Sequence, residues 1–376
     1  MKTEPKQNIM KKQVPVLIIC LLLSINLSVI RGQNAENGDS LSIFDGPYIS
    51  LVNDTLKILR IENGVPIESI VLPGDRSPVV LAAGQSLTYK ELTRVFKRKP
   101  RYNQNYRKAD SIAVISDVHG NYDVFIQQLI ANGICDKNLS WKFGKGHFVF
   151  LGDAFDRGDD VTRILWSLFV LQAKASKAGG TVHVLPGNHE AMVLGGDLRY
   201  VNDKYKTAEA ICNKSYSDLY SDNTVLGKWI RSMPVIITIE DVIFVHAGIS
   251  PEFISREPKI KLVNKLFSEE VIGKDLSSLP ENDERVFLAG EDGPLWYRGY
   301  FNDTTFTESK LNIILDYFGK DHIIVGHTTH RDLISLYGNK IIDIDAGIGY
   351  GAAGRMLFYK DGLFYEASVN GKRIQL

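Results

Sequence analysis

The chain has little cysteine and no surplus of charge of either sign. Three of its 376 residues are cysteine, and 44 lysines and arginines balance 44 aspartates and glutamates. That balance offers no overall basic excess of the kind that holds nucleic acid or an anionic membrane surface, so no nucleic-acid partner is expected. Cys20 lies inside an apolar run, and Cys135 and Cys212 stand in no motif, so nothing suggests a thiolate zinc cluster or a cysteine nucleophile. Outside the cytosol Cys135 and Cys212 could form a disulfide, with two buried free thiols as the alternative. Internal repeats and low-complexity tracts are also missing. With 44% apolar and 23% charged residues, the chain has ordinary globular composition and can form two domains or one large one.

Long apolar runs are absent but for one. Val14 to Leu23 follows Lys11 and Lys12, and the run continues more weakly to Ile30 before Arg31-Gly32-Gln33. A basic start and a run of this length read as an export signal spanning residues 1–33. The mature protein is then expected in the periplasm or outside the cell, without a stable membrane span; anchoring through residues 14–30 is the alternative. Ile19, before Cys20, lacks the small side chain that a lipoprotein cleavage site prefers. Residues 34–40 are polar and read as disordered. Residues 41–108 read as a small β-meander domain and linker, its runs separated by Asn53-Asp54 and Asn63-Gly64. The basic stretch Lys97-Arg98-Lys99-Pro100-Arg101 closes it, a solvated linker or a contact for an acidic partner. Residues 109–376 form the main domain, with a lid-like insertion at 195–234.

What is present is a series of short motifs in that main domain: SDVHG (Ser116 to Gly120), GDAFDRG (Gly152 to Gly158), GNHE (Gly187 to Glu190), HAG (His246 to Gly248) and GH (Gly326, His327). Each puts an Asp, Asn or His directly after an apolar, β-branched run. Strands alternate with helical spacing up to Gly187, implying βαβ units and a largely parallel sheet; the later half reads as hairpins and further strands. The expected fold is α/β, two packed mixed sheets with helices outside them. Ligands of such sheets gather at the carboxyl ends of strands, so Asp117, Asp153, Asn188, His246 and His327 are expected to converge on one sheet edge.

Their chemistry is that of a two-metal phosphoesterase. Asp117 and His119 offer two ligands on one turn, and Asp153 is suited to bridge two cations. Asn188 adds a neutral oxygen, and His246 and His327 complete the ligand set of the second metal. Carboxylate, amide and imidazole donors suit Mn, Fe, Zn or Co better than Mg or Ca, with Mn expected to serve in vitro. Two such ions about 3.5–4 Å apart lower the pKa of a shared water from 15.7 toward about 7, and the hydroxide attacks phosphorus in line. Arg157 is placed to clamp the phosphoryl group. His189 is the candidate proton donor to the leaving group, held by Asp156.

These motifs make the chain similar to the metal-dependent phosphoprotein phosphatase superfamily, calcineurin-like metallophosphoesterases, over roughly residues 109–350. It most resembles the bacterial Shewanella-like branch. The resemblance implies a four-layer αββα β-sandwich. It assigns Asp117, His119 and Asp153 to a first metal, and Asp153, Asn188, His246 and His327 to a second. It makes Arg157 one phosphate-binding arginine, and Arg298, in Gly293-Pro-Leu-Trp-Tyr-Arg298-Gly, the other. Ser116 departs from the usual glycine, and the C-terminal motif that carries an active-site tyrosine in eukaryotic members is missing.

The expected function is a phosphomonoesterase or protein phosphatase acting on phosphotyrosine or small aryl phosphates. The alternatives are a nucleotide or dinucleoside polyphosphate hydrolase and a non-catalytic phosphopeptide-binding module. Residues 195–222, with Tyr200, Tyr205, Tyr216 and Tyr220, are expected to cap the site and choose the substrate; an ordinary packed lid is the alternative. His330 and Asp345 are candidate partners of the ligands. His147 and His183 are expected to be strand residues without a role.

Overall fold

The computed structural model describes residues 43–376; the export-signal reading of 1–33 and the disordered reading of 34–40 lie outside the described residues. Strands β1 (Asp45–Val52), β2 (Thr55–Glu62) and β3 (Val65–Val71) form an antiparallel meander. Its two turns are two residues long, and all four turn residues have positive φ: Asn53, Asp54, Asn63 and Gly64. That geometry matches the right-handed twist of paired strands, and Asn, Asp and Gly adopt it at least cost. Ile49, Leu56 and Ile58 bury one face of the meander, and Tyr48 and Leu59 of the other face join the same core, which also contains Trp166 and Leu165. The Trp166 indole donates to the Pro47 carbonyl at 3.0 Å. Short strands β4 (Val79–Val80) and β5 (Ser86–Leu87) lead to α1 (Tyr89–Lys97), which opens on a capping box between Thr88 and Glu91.

After β6 (Asn105–Tyr106), the chain builds βαβ units: β7 (Ile112–Ile115), α2 (Tyr122–Ala131), β8 (His147–Phe150), α3 (Val161–Ala178) and β9 (Thr181–Val184). The three strands β7, β8 and β9 pair in parallel. Helices α4 (Asn188–Leu194), α5 (Asp203–Cys212) and α6 (Val225–Arg231) precede the hairpin of β10 (Ile236–Ile239) and β11 (Val242–Val245). Four short helices follow, α7 (Pro251–Ser255), α8 (Ile260–Leu266), α9 (Glu284–Ala289) and α10 (Gly299–Asn302), then α11 (Glu308–Phe318). The chain ends in β12 (His322–Val325), β13 (Ile334–Leu336), β14 (Ile341–Asp343), β15 (Met356–Lys360), β16 (Leu363–Ala367) and β17 (Arg373–Gln375).

Two six-stranded sheets result, ordered β17-β16-β15-β7-β8-β9 and β13-β14-β12-β11-β10-β6. Both are mixed. Side chains alternate across each strand, so every second residue faces the partner sheet. Ile112, Val114, Val149 and Leu151 meet Ile237, Val242, Phe244 and Ile324 between the sheets. The opposite parity, Ala113, Ile115, Phe148 and Phe150, packs with the helices. The αββα sandwich is therefore written in the two-residue period of fully buried strands, where a one-residue slip would turn every apolar side chain to the wrong layer.

Cys135 is buried, Cys212 is half-buried, and both are free thiols, so the disulfide alternative does not form. Burial pushes the Cys135 thiol up to about 12. Among the described residues no helix is long and apolar enough to cross a membrane.

His147 and His183 sit on β8 and β9, where His183 Nε2 meets His147 Nδ1 at 3.0 Å. Burial pushes His183 down to about 3 and lowers His147 as well. A histidine held neutral in the fold but free to charge near pH 6.5 when unfolded contributes stability that is full above 6.5 and is lost as pH falls toward 3. His183→Gln, which cannot charge, is expected to lessen the loss of unfolding free energy between pH 7 and pH 4 by up to about 3 kcal/mol in urea titrations. An unchanged difference would show that His183 carries none of the acid sensitivity.

Candidate active site

The turns that follow β7, β8, β9, β11 and β12 bring the expected ligands together. Asp117, Asp153 and Asn188 come from one sheet, His246 and His327 from the other, so the site lies across the ends of two facing sheets rather than on one sheet edge. The reason is the hairpin β10–β11: it reverses the chain so that β11 delivers His246 to the same end as β12 delivers His327. All five residues and His119 are buried.

Asp153 is the centre. Its Oδ2 lies 3.4 Å from His246 Nε2, 3.7 Å from His119 Nε2 and 4.0 Å from His189 Nε2. Asn188 Oδ1 is 3.0 Å from His246 Nε2, and Asp117 Oδ1 is 4.0 Å from His119 Nε2. The other oxygen of Asp117 accepts the His327 backbone N–H at 3.1 Å and the Ser116 hydroxyl. Ser116, the departure from glycine, thus occupies a lone pair on the face of Asp117 turned from His119.

The donors fit divalent cations. His119 Nδ1 is held by the Phe155 carbonyl at 2.8 Å and His246 Nδ1 by the Leu151 carbonyl at 2.6 Å. A ring whose Nδ1–H is taken by a carbonyl presents its Nε2 lone pair, as metal-binding histidines do. Nε2 of His119 and Nε2 of His327 are buried with no hydrogen-bond partner, a costly arrangement for a polar atom unless it serves a ligand. Two groups have donor atoms close enough to share an ion: His119, Asp153 and His189, and Asp153, His246 and His327. The second holds three of the four residues expected at one ion, with Asn188 beside His246. The first contains His189, the expected proton donor, and not Asp117, because the His189 Nε2 points toward Asp153 while its Nδ1 is bound to Asp156.

Electrostatics follow the burial. Burial pushes His119 down to about 3 and holds His327 well below its ordinary value, so both rings are neutral and able to ligate. Burial pushes Asp117 well above the usual carboxylate range, aided by Asp345 and Asp153. It acts the same way on Asp153, but His246 and His189 outweigh it and hold that carboxylate well below the usual range. Burial also opposes charge on His189; Asp153 and Asp156 prevail and raise its pKa.

The backbone is strained here. Asp117, His119, Asp153, Asp156, Arg157 and His327 all have φ between 42° and 71°, the left-handed region that costs non-glycine residues about 1–3 kcal/mol each. Such strain persists only where the surroundings enforce it. Glu190 does much of this: buried, it accepts from the backbone N–H of Asp153 at 2.8 Å, Ala154 at 2.7 Å and Gly187 at 2.5 Å. Gly187 is obligatory by contact, since a Cβ there would collide with the Asp153 carboxylate. Sequence reasoning gave Glu190 no role; its place at the third helical position after Gly187, as in a capping box, was the available signal.

Arg157 and Arg298 are the arginines expected to clamp an anion. Arg298 Nη1 donates to the His327 carbonyl at 2.8 Å, which ties it to the ligand turn. The Arg157 guanidinium lies 4.3 Å from the ring centroid of Tyr350, which is 70% exposed. Tyr350 was not foreseen, lying in the glycine-rich Gly347–Gly354 stretch without flanking pattern.

The insertion serves the site differently from its tyrosine content. Tyr205, Tyr216 and Tyr220 are fully buried, and Tyr216 and Tyr220 pack on Phe155 of the GDAFDRG turn. They are core, not substrate-facing. Asn202 donates to the Arg157 carbonyl at 2.7 Å, and Tyr205 to the Asp159 carbonyl at 2.8 Å, so the insertion clamps the arginine turn. Tyr200 alone is exposed, at 51%, with its ring 5.4 Å from His189. Asp345 accepts from the Thr329 hydroxyl at 2.5 Å, and His330 stands 3.6 Å from Asp343.

Residues 111–331 match the calcineurin-like phosphoesterase family. The chain belongs to that family. A solved cold-active protein-tyrosine phosphatase of a psychrophilic Shewanella species superposes with a TM-score of 0.81 at 36% identity, covering 89% of this chain and 99% of that one. Shewanella-like protein phosphatase 2 of Arabidopsis thaliana is 24% identical over 66% of this chain and 74% of its own length. Shewanella-like protein phosphatase 1 of Plasmodium berghei is 26% identical over 74% of this chain and 79% of its own. The calcineurin-like phosphoesterase described here is thus a phosphoric monoester hydrolase of the phosphatase type, from a family that implies divalent metal ions.

Proposed function

We propose that this enzyme uses two divalent ions, manganese serving in vitro, to hydrolyse phosphotyrosine or small aryl phosphate monoesters. Asp117, His119 and Asp153 would hold one ion, and Asp153, Asn188, His246 and His327 the other. When bound, the ions supply Lewis-acid charge to the phosphoryl oxygens and a water of lowered pKa. Arg157 and Arg298 hold the phosphoryl group and balance its spreading negative charge. His189, held at Nδ1 by Asp156, would deliver a proton from Nε2 to the leaving oxygen as the P–O bond breaks. Export from the cytosol remains part of this reading, resting on Lys11-Lys12 and the run that follows.

The observation that carries the choice of substrate is the pair of exposed rings at the site, Tyr200 beside His189 and Tyr350 over Arg157. A leaving group that is itself an aromatic ring can pack on them, and such contacts contribute about 0.5–1.5 kcal/mol each. Similarity to a solved protein-tyrosine phosphatase supports the same reading. The test is kcat/KM on one peptide sequence carrying phosphotyrosine, phosphoserine or phosphothreonine, with diadenosine tetraphosphate alongside. Phosphotyrosine is expected to lead, and Tyr350→Ala to reduce that lead roughly 2- to 10-fold. A higher value on phosphoserine, or on the dinucleotide, would overturn the assignment.

A further inference from the structure

A cleft of about 390 Å³ opens along β9, where β9 and β6 form free edges of the two sheets. Helices α1, α3 and α6 and the segment from Arg98 to Gln104 line the rest. The basic stretch read as a solvated linker is part of this wall. Arg94, Arg98, Lys99, Arg101 and Lys177 all line the cleft, against one carboxylate, Glu91. Glu91 is engaged, pairing with Lys177 at 3.1 Å and capping α1. Among the described residues no carboxylate pairs with Arg94, Arg98, Lys99 or Arg101. Burial, and after it the like charges of Arg94 and Arg101, pulls the Arg98 pKa down. The floor adds no negative charge: His183 is neutral and bound to His147. Phe169 and Trp229 give the cleft an apolar wall, their rings 5.4 Å apart.

We propose that this cleft is a second anion site that binds a small oligophosphate, several contiguous phosphate groups with or without an attached flat ring. Self-repelling guanidinium groups around a concave space are relieved by an anion that bridges them, and arginine forks suit phosphate oxygens. The volume lies in the range of small-ligand sites and well above that of a single ion. Nothing in the phosphatase chemistry uses these residues, so the site can fail while the active site stands.

The test is calorimetric titration of the purified protein with inorganic tripolyphosphate and, separately, ATP, in EDTA so that neither is hydrolysed. One-to-one binding that weakens steeply with added salt is expected. The Arg94→Ala/Arg98→Ala double substitution should weaken it at least about tenfold, since it removes charge-assisted hydrogen bonds to the phosphate oxygens. Its melting temperature and its p-nitrophenyl phosphate turnover with manganese should be unchanged, while Arg298→Ala should lose turnover and keep the binding. Equal affinity for both probes assigns the site to the phosphate chain; tighter ATP binding adds the ring to the Phe169 wall. Absence of binding, or binding lost in Arg298→Ala but kept in the double variant, would overturn the proposal. So would capture of poly-glutamate without tripolyphosphate, which would assign the cleft to an acidic protein segment.

Discussion

Asp153→Asn is expected to leave a folded protein with turnover reduced by about four orders of magnitude or more and with its divalent metal content lost. The size of the effect follows from position. The Asp153 carboxylate lies within 4.0 Å of Nε2 of His119, His189 and His246, so it is common to both candidate ion groups. Replacing one of its oxygens by an amide N–H removes the shared negative donor and points a donor at lone pairs. Loss of both ions forfeits the lowered water pKa and the charge on phosphorus together, each worth several kcal/mol. Folding should survive, because Asp153 Oδ1 accepts one backbone N–H, that of His189 at 3.0 Å, an acceptor an amide oxygen can replace. Elemental analysis and p-nitrophenyl phosphate assays on the same preparation check this. A variant that keeps both metals and more than about a tenth of the activity would refute the bridging role.

His189→Ala is expected to retain metal and lose about 10²–10⁴-fold in kcat, the range of a general acid. The geometry makes this informative, since His189 stands with His119 and Asp153 in a group able to hold an ion and is also tethered to Asp156. A ligand and an acid differ in two measurable ways. Removing an acid spares metal content and costs most with poor leaving groups, so phenyl phosphate should suffer more than p-nitrophenyl phosphate. Loss of one metal per chain, with equal loss on both substrates, would make His189 a ligand instead. Asp156→Asn should follow His189→Ala in pattern with a smaller effect, because it orients and charges the ring without touching substrate.

The layered fold and the clustering of the candidate ligands were legible because buried strands advertise themselves. Each ligand follows a β-branched run of four residues or so, and the carboxyl ends of such strands are where a sheet leaves side chains free. What escaped was whatever depends on facing. Tyr205, Tyr216 and Tyr220 read as a substrate cap from composition, but the structure turns them inward beneath Phe155, and only Tyr200 outward. Glu190 escaped because a buried carboxylate satisfied by four backbone donors, those of Asp153, Ala154, Phe155 and Gly187, looks in sequence like any surface acid. Tyr350 escaped because glycines on both sides erase the periodicity that would give it a face. The convergence of two sheets on one site required the β10–β11 reversal to be seen as delivering His246, which pairing alone decides. Arg298 entered only by resemblance; its hydrogen bond to the His327 carbonyl now gives it a place beside the ligand turn.

The most direct measurement is hydrolysis of p-nitrophenyl phosphate and a phosphotyrosine peptide by protein stripped with EDTA and then titrated with manganese. Negligible activity after stripping is expected, recovering as two equivalents of metal bind, and not recovering in Asp153→Asn. Full activity in the stripped protein, or none in protein shown to be folded and loaded with two metals, would contradict the account.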